Sequence, residues 1–462
     1  MSISALSVAQ IRALSTAAIQ SLSTTSIQSL TTTQVAAFTT TGIGSFSSTQ
    51  FENFSTTQVR ALAATQIPSI NSSVSFTSGQ LLVLSAQQLS VMATAQIATI
   101  NATSISSFSI TQIGGFSSTN LSSLDQTQAG ALTTTQIAAF SSAQVSGLTA
   151  EDIGELSSTQ VSAFTKTQIT RLGTESLAAF DATQITALST GVLQALTTTQ
   201  LGSLEAADVA EFSTSQLAAL TTSQIRGLNT TFISGLSETQ VASLTTTQLG
   251  ALTNTNLSGL EATQSAALTT TQLRSLSSTQ MQALNATDIG EFTTTQIASL
   301  TNAQAQNLSS TQLSGLADTQ LQAMTATQIA AFSTTQVRKL TSEILSALDE
   351  TRFGNLNATQ VKALTTTQIG NFESADVAKF GTSQLAALTT VQVGALTASG
   401  IADLAATQMR AFATTQLNVL SSTYLNALNE TQIAALTTTQ IAGLSTTQAG
   451  VLSATNVEAL TT

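Results

Sequence analysis

The sequence predicts an all-α fold, a repeat solenoid of short capped helices with an eight-residue period, elongated into a rod. Three observations predict it. A large apolar residue recurs every eight residues along nearly the whole chain, N-capping residue types follow it, and acidic and basic residues are segregated within each repeat. Self-similarity at a fixed period is typical of solenoids and other stacked arrays.

The repeat is plainest in residues 133–140, which read TTTQIAAF. We define position 1 as the large apolar residue that closes each copy, such as Phe140. Position 1 recurs from Leu6 to Ile70, and again at 48 places from Leu84 to Leu460, where it is always Leu, Phe, Ile or Met. Position 2 is mostly Ser, Thr, Asn, Asp or Gly, position 5 mostly Gln, position 6 Ile, Val or Leu, and positions 7 and 8 are mostly small.

These columns predict one short helix in each repeat. A continuous helix is excluded because eight residues turn about 800°, so the apolar stripe would drift by about 80° per repeat. Position 2 carries the residue types that cap helix N-termini, and Gln three residues later completes a capping box. The Gln column therefore predicts either a bond back to the cap or a ladder between coils. Positions 6 and 1, three residues apart, share one helix face.

The charged residues favour the same interpretation. Of 23 acidic residues, 17 lie at positions 2–5, and of 12 basic residues, ten lie at position 7 or 8. Acids at the start and bases at the end complement a helix dipole, whereas a strand has no comparable polarity. The alternative fold is a β-solenoid, which the Thr, Ile and Val content favours. Apolar spacings of three and five, however, do not alternate with period two.

We predict a single continuous solenoid over residues 1–462, with an irregular segment at 67–84. There, 14 residues separate Ile70 from Leu84 instead of 16, and the segment holds Pro68, the only proline. Because proline ends or kinks a helix, the segment is either a tolerated two-residue deletion or a bend that makes a lateral contact between rods. If two repeats formed one coil, helix-packing distances would give a rod of roughly 230–290 Å.

The small residues at positions 7 and 8 are predicted to lie where neighbouring coils touch, because small side chains let backbones approach closely. The glycines of this kind in one stretch of the chain are Gly114, Gly115, Gly130, Gly147 and Gly154.

Composition excludes several classes of function. The net charge is −11, and the 12 basic residues form no cluster, which disfavours nucleic acid and anionic lipid as partners. No apolar run approaches the ~20 residues of a transmembrane segment. The first 30 residues lack the basic start and apolar stretch of a Sec-type signal peptide.

The sequence also predicts no enzyme, cofactor or metal. The absence of His and Cys excludes histidine-dependent triads, thiol nucleophiles and Cys/His zinc sites. Three acidic pairs, three residues apart, could offer oxygen ligands to Ca²⁺, but the pairs lie several repeats apart and Ca²⁺ takes six or more ligands. The favoured interpretation is a solvated helix edge or an ion pair between chains. The pairs are Asp152/Glu155, Asp208/Glu211 and Asp288/Glu291.

The two ends predict head-to-tail association. Neither end shows the polar cap that usually protects a solenoid. The two residues after Leu460 and the six residues up to Leu6 together make one period, so the repeat continues across a junction between copies. A contact of this kind does not close and grows a filament. The candidate interface residues are Leu6, Ile11, Val457 and Leu460.

Residues 437–444, TTTQIAGL, resemble the octapeptide arrays of large secreted bacterial surface proteins of adhesin-like or haem-utilisation-like type. The resemblance covers essentially the whole chain. It implies an extracellular or cell-surface location and carries over no functional residue; the chain has no His to ligate haem.

We therefore expect a structural protein whose main partner is itself, forming an extracellular filament or surface fibre, with a cell surface or polysaccharide as a further partner. The alternative is a rigid Thr-rich binding or adhesion module for ice or polysaccharide. Ice binding would need a flat Thr-rich β face, so it depends on the β-solenoid.

Overall fold

The computed structural model describes residues 3–460, which contain α-helices and two 3-10 helices but no strand. The predicted all-α repeat solenoid is confirmed, and the β-solenoid alternative is wrong for these residues. Contacts divide the chain into two units, Met1–Ser243 and Leu244–Thr462. Each unit is a solenoid of short helices that follow one another at about eight-residue intervals.

The first unit holds helices α1 to α28 and two 3-10 helices, Ile3–Ala5 and Ala64–Ser69. In chain order, α1 to α28 are Val8–Arg12, Thr16–Gln20, Thr24–Gln28, Thr32–Ala37, Thr40–Gly44, Ser48–Glu52, Thr56–Arg60, Ser78–Leu81, Ala86–Ser90, Thr94–Ile97, Ala102–Ser107, Ile110–Ile113, Ser118–Leu121, Gln126–Gly130, Thr134–Ala138, Ser142–Ser146, Ala150–Gly154, Ser158–Val161, Lys166–Ile169, Thr174–Ala178, Ala182–Ala187, Thr190–Leu193, Thr198–Gly202, Ala206–Ala210, Thr214–Ala219, Thr222–Arg226, Thr230–Ser234 and Glu238–Ser243.

The second unit continues the series with α29 to α55. In chain order these are Thr246–Ala251, Asn254–Ser258, Ala262–Ala267, Thr270–Ser275, Ser278–Ala283, Ala286–Gly290, Thr294–Ser299, Asn302–Asn307, Ser310–Ser314, Asp318–Ala323, Ala326–Ala330, Thr334–Lys339, Ser342–Ala347, Glu350–Gly354, Ala358–Ala363, Thr366–Gly370, Ser374–Ala378, Thr382–Ala387, Thr390–Val393, Ala398–Ala402, Ala406–Met409, Thr414–Leu417, Ser422–Ala427, Glu430–Ala434, Thr438–Ala442, Thr446–Gly450 and Ala454–Ala459.

Helix α15 shows why each repeat forms one short helix. Thr133 is the N-cap, with φ −78° and ψ 155°, and its side-chain oxygen accepts the backbone N–H of Gln136. The Gln136 side chain in turn accepts the backbone N–H of Thr133, which completes the predicted capping box. Both bonds satisfy donors that a helix start leaves unpaired. The predicted helix start just after position 2 is therefore confirmed.

The core is built from positions 6 and 1, as predicted. Ile137 is fully buried and Phe140 is 5% exposed, whereas Thr134 and Thr135 are exposed. Burying one such side chain stabilises the fold by about 1.5–3 kcal/mol. An isolated helix of one or two turns is unstable in water, so these helices depend on the coils that they pack against.

Each coil contains between three and four repeats. Helix α15 packs against α12 and α18, its third neighbours in the chain. Side-chain hydrogen bonds between coils reach back 28 and 31 residues, into the fourth repeat before. The assumption of two repeats per coil is therefore wrong. With two helices per coil, the chain would have to reverse its direction between consecutive helices. The extended backbone of linking residues such as Phe108, with φ −64° and ψ 139°, turns the chain more gradually.

The irregular segment shortens one coil by two residues. The 3-10 helix Ala64–Ser69 includes Pro68, and no helix forms between it and α8, which begins at Ser78. Gln80 reaches back 29 and 26 residues, to the carbonyls of Phe51 and Phe54, where Gln112 reaches back 31 and 28. The bonds thus keep their repeat positions while the coil loses two residues, which supports the interpretation as a tolerated deletion. The lateral contact between rods and the single continuous solenoid stay predictions.

Among the five predicted contact glycines, the two at position 8 leave no room for a Cβ and the three at position 7 do. A Cβ at Gly115 would lie 2.4 Å from the carbonyl oxygen of Ala86, and a Cβ at Gly147 would lie 2.5 Å from the Cβ of Ser118. A Cβ at Gly130 or Gly154 would meet nothing within 4 Å, and one at Gly114 would meet only carbonyls of its own helix. Close approach of coils is therefore confirmed for the two position-8 glycines, whereas a Cβ would fit at the three position-7 glycines.

Candidate coil-stacking interface

The glutamine at position 5 joins each coil to the one before it. Gln136 is 2% exposed. Its Oε1 accepts the Thr133 backbone N–H at 2.7 Å, and its Nε2 donates to the carbonyl oxygens of Ile105 at 2.9 Å and Phe108 at 2.8 Å. The bond to the cap and the ladder between coils, predicted as alternatives, both occur in one side chain.

We call this series of bonds the glutamine ladder. Its acceptors are carbonyls at the C-terminal end of a helix, where intrahelical bonding runs out. The Ile105 carbonyl also accepts the Phe108 backbone N–H at 3.3 Å, so Gln136 is its second donor. Glutamine suits the position because its amide offers both an acceptor and two donors, whereas ionised Glu or Asp only accepts. Other glutamines that bond to carbonyls both 31 and 28 residues earlier include Gln144, Gln160, Gln168, Gln184, Gln200 and Gln216 in the first unit and Gln304, Gln312, Gln336, Gln368, Gln384, Gln416 and Gln448 in the second.

The ladder gives every coil two different faces. One face offers the Nε2 donors, and the opposite face offers backbone carbonyls to the following coil. Gln34 reaches the carbonyls of Ile3, Ser4 and Leu6 in the first coil. In the three preceding repeats, position 5 is Gln10, Ala18 and Ser26. Stacking is thus directional, with donors meeting acceptors at each step.

The structure places the four predicted interface residues in the first and last repeats of the described chain. Ile11, in α1, is 1% exposed, while Leu6 is half-buried. Val457, in α55, is 49% exposed, and Leu460 is half-buried at the end of the same helix. Leu14 and Leu22, which the sequence reasoning did not single out, are also half-buried, whereas Leu30 is 4% exposed. The first coil therefore leaves position-1 leucines partly exposed, whereas Ile11 is buried.

Four repeats carry Asp at position 5 in place of Gln, and three of these aspartates are buried. An ionised carboxylate cannot donate to the preceding coil, and a serine of that coil donates to it instead. Ser122 Oγ lies 2.6 Å from Asp152 Oδ2, Ser258 Oγ lies 2.5 Å from Asp288 Oδ2, and Ser346 Oγ lies 2.6 Å from Asp376 Oδ2. These pairs have a sequence signal, which is a Ser 30 residues before a position-5 Asp. The sequence predictions did not include it.

The charges near these aspartates differ, since other carboxylates lie near Asp152 whereas Lys379 lies beside Asp376. Burial raises the pKa of the Glu155 carboxyl, and the nearby carboxylates of Asp152, Glu151 and Asp125 raise it further. Burial also opposes ionisation of Asp376, but hydrogen bonds from Ser346 and Lys379 outweigh it and lower the Asp376 pKa. Lys379 Nζ lies 2.9 Å from Asp376 Oδ1 and donates to the Ser346 carbonyl at 2.7 Å.

Within residues 3–460, no group of three or more acidic side chains could hold a metal ion. Over the same residues, no helix is long and apolar enough to span a membrane.

The eight-residue period, the capped helices and the glutamine ladder define the chain as a solenoid repeat protein. Residues 3–40, 201–237 and 369–406 match the family model described as ALTTAQ repeat. The matched segments lie near the start, the middle and the later part of the chain, so similarity to this repeat recurs along its length. No curated protein matches the chain.

Proposed function

We propose that this repeat protein is a structural, non-catalytic protein whose copies stack head to tail into an extracellular filament or surface fibre. The observation that carries the proposal is the directionality of the glutamine ladder. Because each coil has a donor face and an acceptor face, the donor face of one copy complements the acceptor face of another. Such a contact joins different surfaces and can repeat without closing.

The exposed apolar residues of the first and last coils support this proposal. Leu6, Leu14 and Leu22 are half-buried in the first coil, and Val457 is 49% exposed in the last helix, although residues in the same columns elsewhere are almost fully buried. Removing apolar surface from water contributes about 25 cal/mol per Å², which must exceed the entropic cost of association. Stacking would bury these residues as their counterparts are buried inside the chain.

The ladder spacing also suggests which atoms would meet. If the period continues across the junction, Gln10 of one copy stands 31 residues after Ile441 and 28 after Leu444 of the previous copy, the spacings of the Gln136 bonds. Ser26 stands 28 residues after Leu460, and Ser176 donates to the Leu148 carbonyl at that same spacing, at 2.7 Å. We therefore expect Gln10 and Ser26 to donate across the junction.

Sedimentation velocity and electron microscopy of the 462-residue chain test the proposal. We expect concentration-dependent growth into thin unbranched fibres, and we expect Val457→Asp to abolish growth by placing a carboxylate in the junction. Val391→Asp is the matched control, since Val391 is 68% exposed in α47 and lies away from both end coils. A chain that stays monomeric at high concentration, or equal loss of growth in both variants, would contradict the proposal.

The extracellular location and a polysaccharide or cell-surface partner belong to the same proposal and rest on the resemblance of the repeat to secreted surface arrays. Binding of the fibres to polysaccharide in a pull-down assay would support a role in adhesion. We do not propose ice binding, because it required a flat β face and residues 3–460 contain no strand.

A further inference from the structure

The glutamine ladder alone does not determine which coils stack on which. Its Nε2 groups donate to backbone carbonyls, such as those of Ile105 and Phe108, and every repeat has carbonyls at these two positions. A coil shifted by one eight-residue repeat would therefore find equivalent acceptors. Many near-identical repeats make such slipped states close competitors of the native one.

We infer that the three buried Asp–Ser pairs are register keys, which fix the stacking of coils by penalising a shift of one repeat. The pairs are Asp152 with Ser122, Asp288 with Ser258 and Asp376 with Ser346, joined at 2.5–2.6 Å. Ser occupies position 7 in only 9 of the 47 repeats from Ser90 to Glu458, yet it stands 30 residues before three of the four position-5 aspartates. The pairing is therefore more frequent than the composition of the column accounts for.

A shift of one repeat would remove the serine donor. Asp152 would then face Gly114 or Gly130, and Asp288 would face Gly250 or Ala266, none of which has a side-chain donor. Both aspartates are at least nine-tenths buried, so water would replace the lost bond poorly. Each carboxylate would keep only a backbone N–H of its own repeat, from Thr149 or Asn285, and losing a hydrogen bond to a buried carboxylate is costly. Single buried polar residues fix the register of coiled coils on the same physical basis.

At Asp376 the bond from Ser346 is joined by an ion pair with Lys379. A shift would place it opposite Gly354 in one direction and Arg338 in the other. In the native register it is bonded to both Ser346 and Lys379. This key therefore acts against a shift towards Gly354.

The fourth aspartate provides a natural control. Asp208 has Ala178 rather than Ser 30 residues before it, and it is only partly buried. Solvent can hydrate its carboxylate in either register, so Asp208 does not act as a key.

A cysteine pair in this cysteine-free chain can report on slippage. Gly147 packs against Ser118 in the native register, and Ala139 lies one repeat before Gly147. A chain carrying Ser118→Cys and Ala139→Cys should therefore form the disulfide mainly when the coil has slipped. The experiment refolds the full chain from denaturant under oxidising conditions and measures the 118–139 disulfide by mass spectrometry, in the wild-type, Asp152→Gln and Asp208→Gln backgrounds.

We expect the disulfide yield to rise about fivefold or more with Asp152→Gln, because Gln finds acceptors in either register, and to stay unchanged with Asp208→Gln. The thermal midpoint of Asp152→Gln should equal or exceed that of the wild type, whereas Ser122→Ala should lower it, because the carboxylate would keep only the Thr149 backbone N–H of its two donors. An unchanged disulfide yield with Asp152→Gln, or an equal rise with Asp208→Gln, would overturn the inference.

Discussion

At the residue scale, neighbouring threonines of one repeat have different roles. Thr133 caps α15 through its side-chain oxygen, which lies 3.2 Å from the Gln136 backbone nitrogen, while Thr134 is exposed. Residue type alone does not distinguish them, and position in the repeat does. This distinction could be predicted from the sequence because a cap and its capping-box partner are only three residues apart.

Replacing the two threonines separately tests this assignment. We expect Thr133→Ala to destabilise α15 by about 1 kcal/mol, the usual cost of losing an N-cap, and Thr134→Ala to have little effect. Native-state hydrogen exchange at the amides of α15 is the appropriate measurement, since it reports directly on the helix that loses its cap. Equal loss of protection in the two variants would contradict the capping role.

The ladder partners of Gln136 could not be predicted in the same way. Its two acceptors, the carbonyls of Ile105 and Phe108, lie 31 and 28 residues earlier in the chain. Which carbonyls these are depends on the number of repeats in a coil, and an eight-residue period does not fix that number. The sequence therefore predicted the capping bond of the Gln136 side chain, but not which carbonyls its Nε2 would bond.

At the scale of the helix, the glycines at positions 7 and 8 differ in what surrounds them. Position 8 faces the preceding coil, because a Cβ at Gly115 would lie 2.4 Å from the Ala86 carbonyl oxygen. At position 7, a Cβ at Gly130 or Gly154 would meet nothing within 4 Å. The sequence placed both columns at the contact because their small residues are alike. The orientation of each column depends on the angle at which coils stack, which composition does not reveal.

Alanine substitutions at Gly115 and Gly130 should therefore have opposite effects. Gly130→Ala should stabilise α14 by about 0.5–1 kcal/mol, because Ala forms helix more readily than Gly. Gly115→Ala should destabilise the chain, because its Cβ would lie 2.4 Å from the carbonyl oxygen of Ala86. Thermal unfolding followed by circular dichroism checks the signs, and stabilisation by both substitutions would show that the coils do not approach closely at Gly115.

At the scale of the whole molecule, the described contacts are local along the chain. Helices pack mainly on their third neighbours, and the ladder reaches back about 31 residues at most. In such a fold, stability is approximately a sum of repeat terms and nearest-neighbour terms. A defect in one coil should therefore weaken that coil and its neighbours and leave distant coils intact.

Gln136→Ala tests this locality. The substitution removes a donor from two buried carbonyls. The Ile105 carbonyl keeps the Phe108 backbone N–H, whereas the Phe108 carbonyl loses its Gln136 bond, and a buried acceptor left unpaired costs about 1–3 kcal/mol. We expect faster hydrogen exchange in α11 and α15, which the Gln136 side chain joins, and unchanged exchange in α42. Gln194→Ala is the matched control, because Gln194 is exposed and donates only to the Ala219 carbonyl, at 3.0 Å, so its loss should cost little. Faster exchange throughout the chain after Gln136→Ala would mean that the coils unfold as one cooperative block.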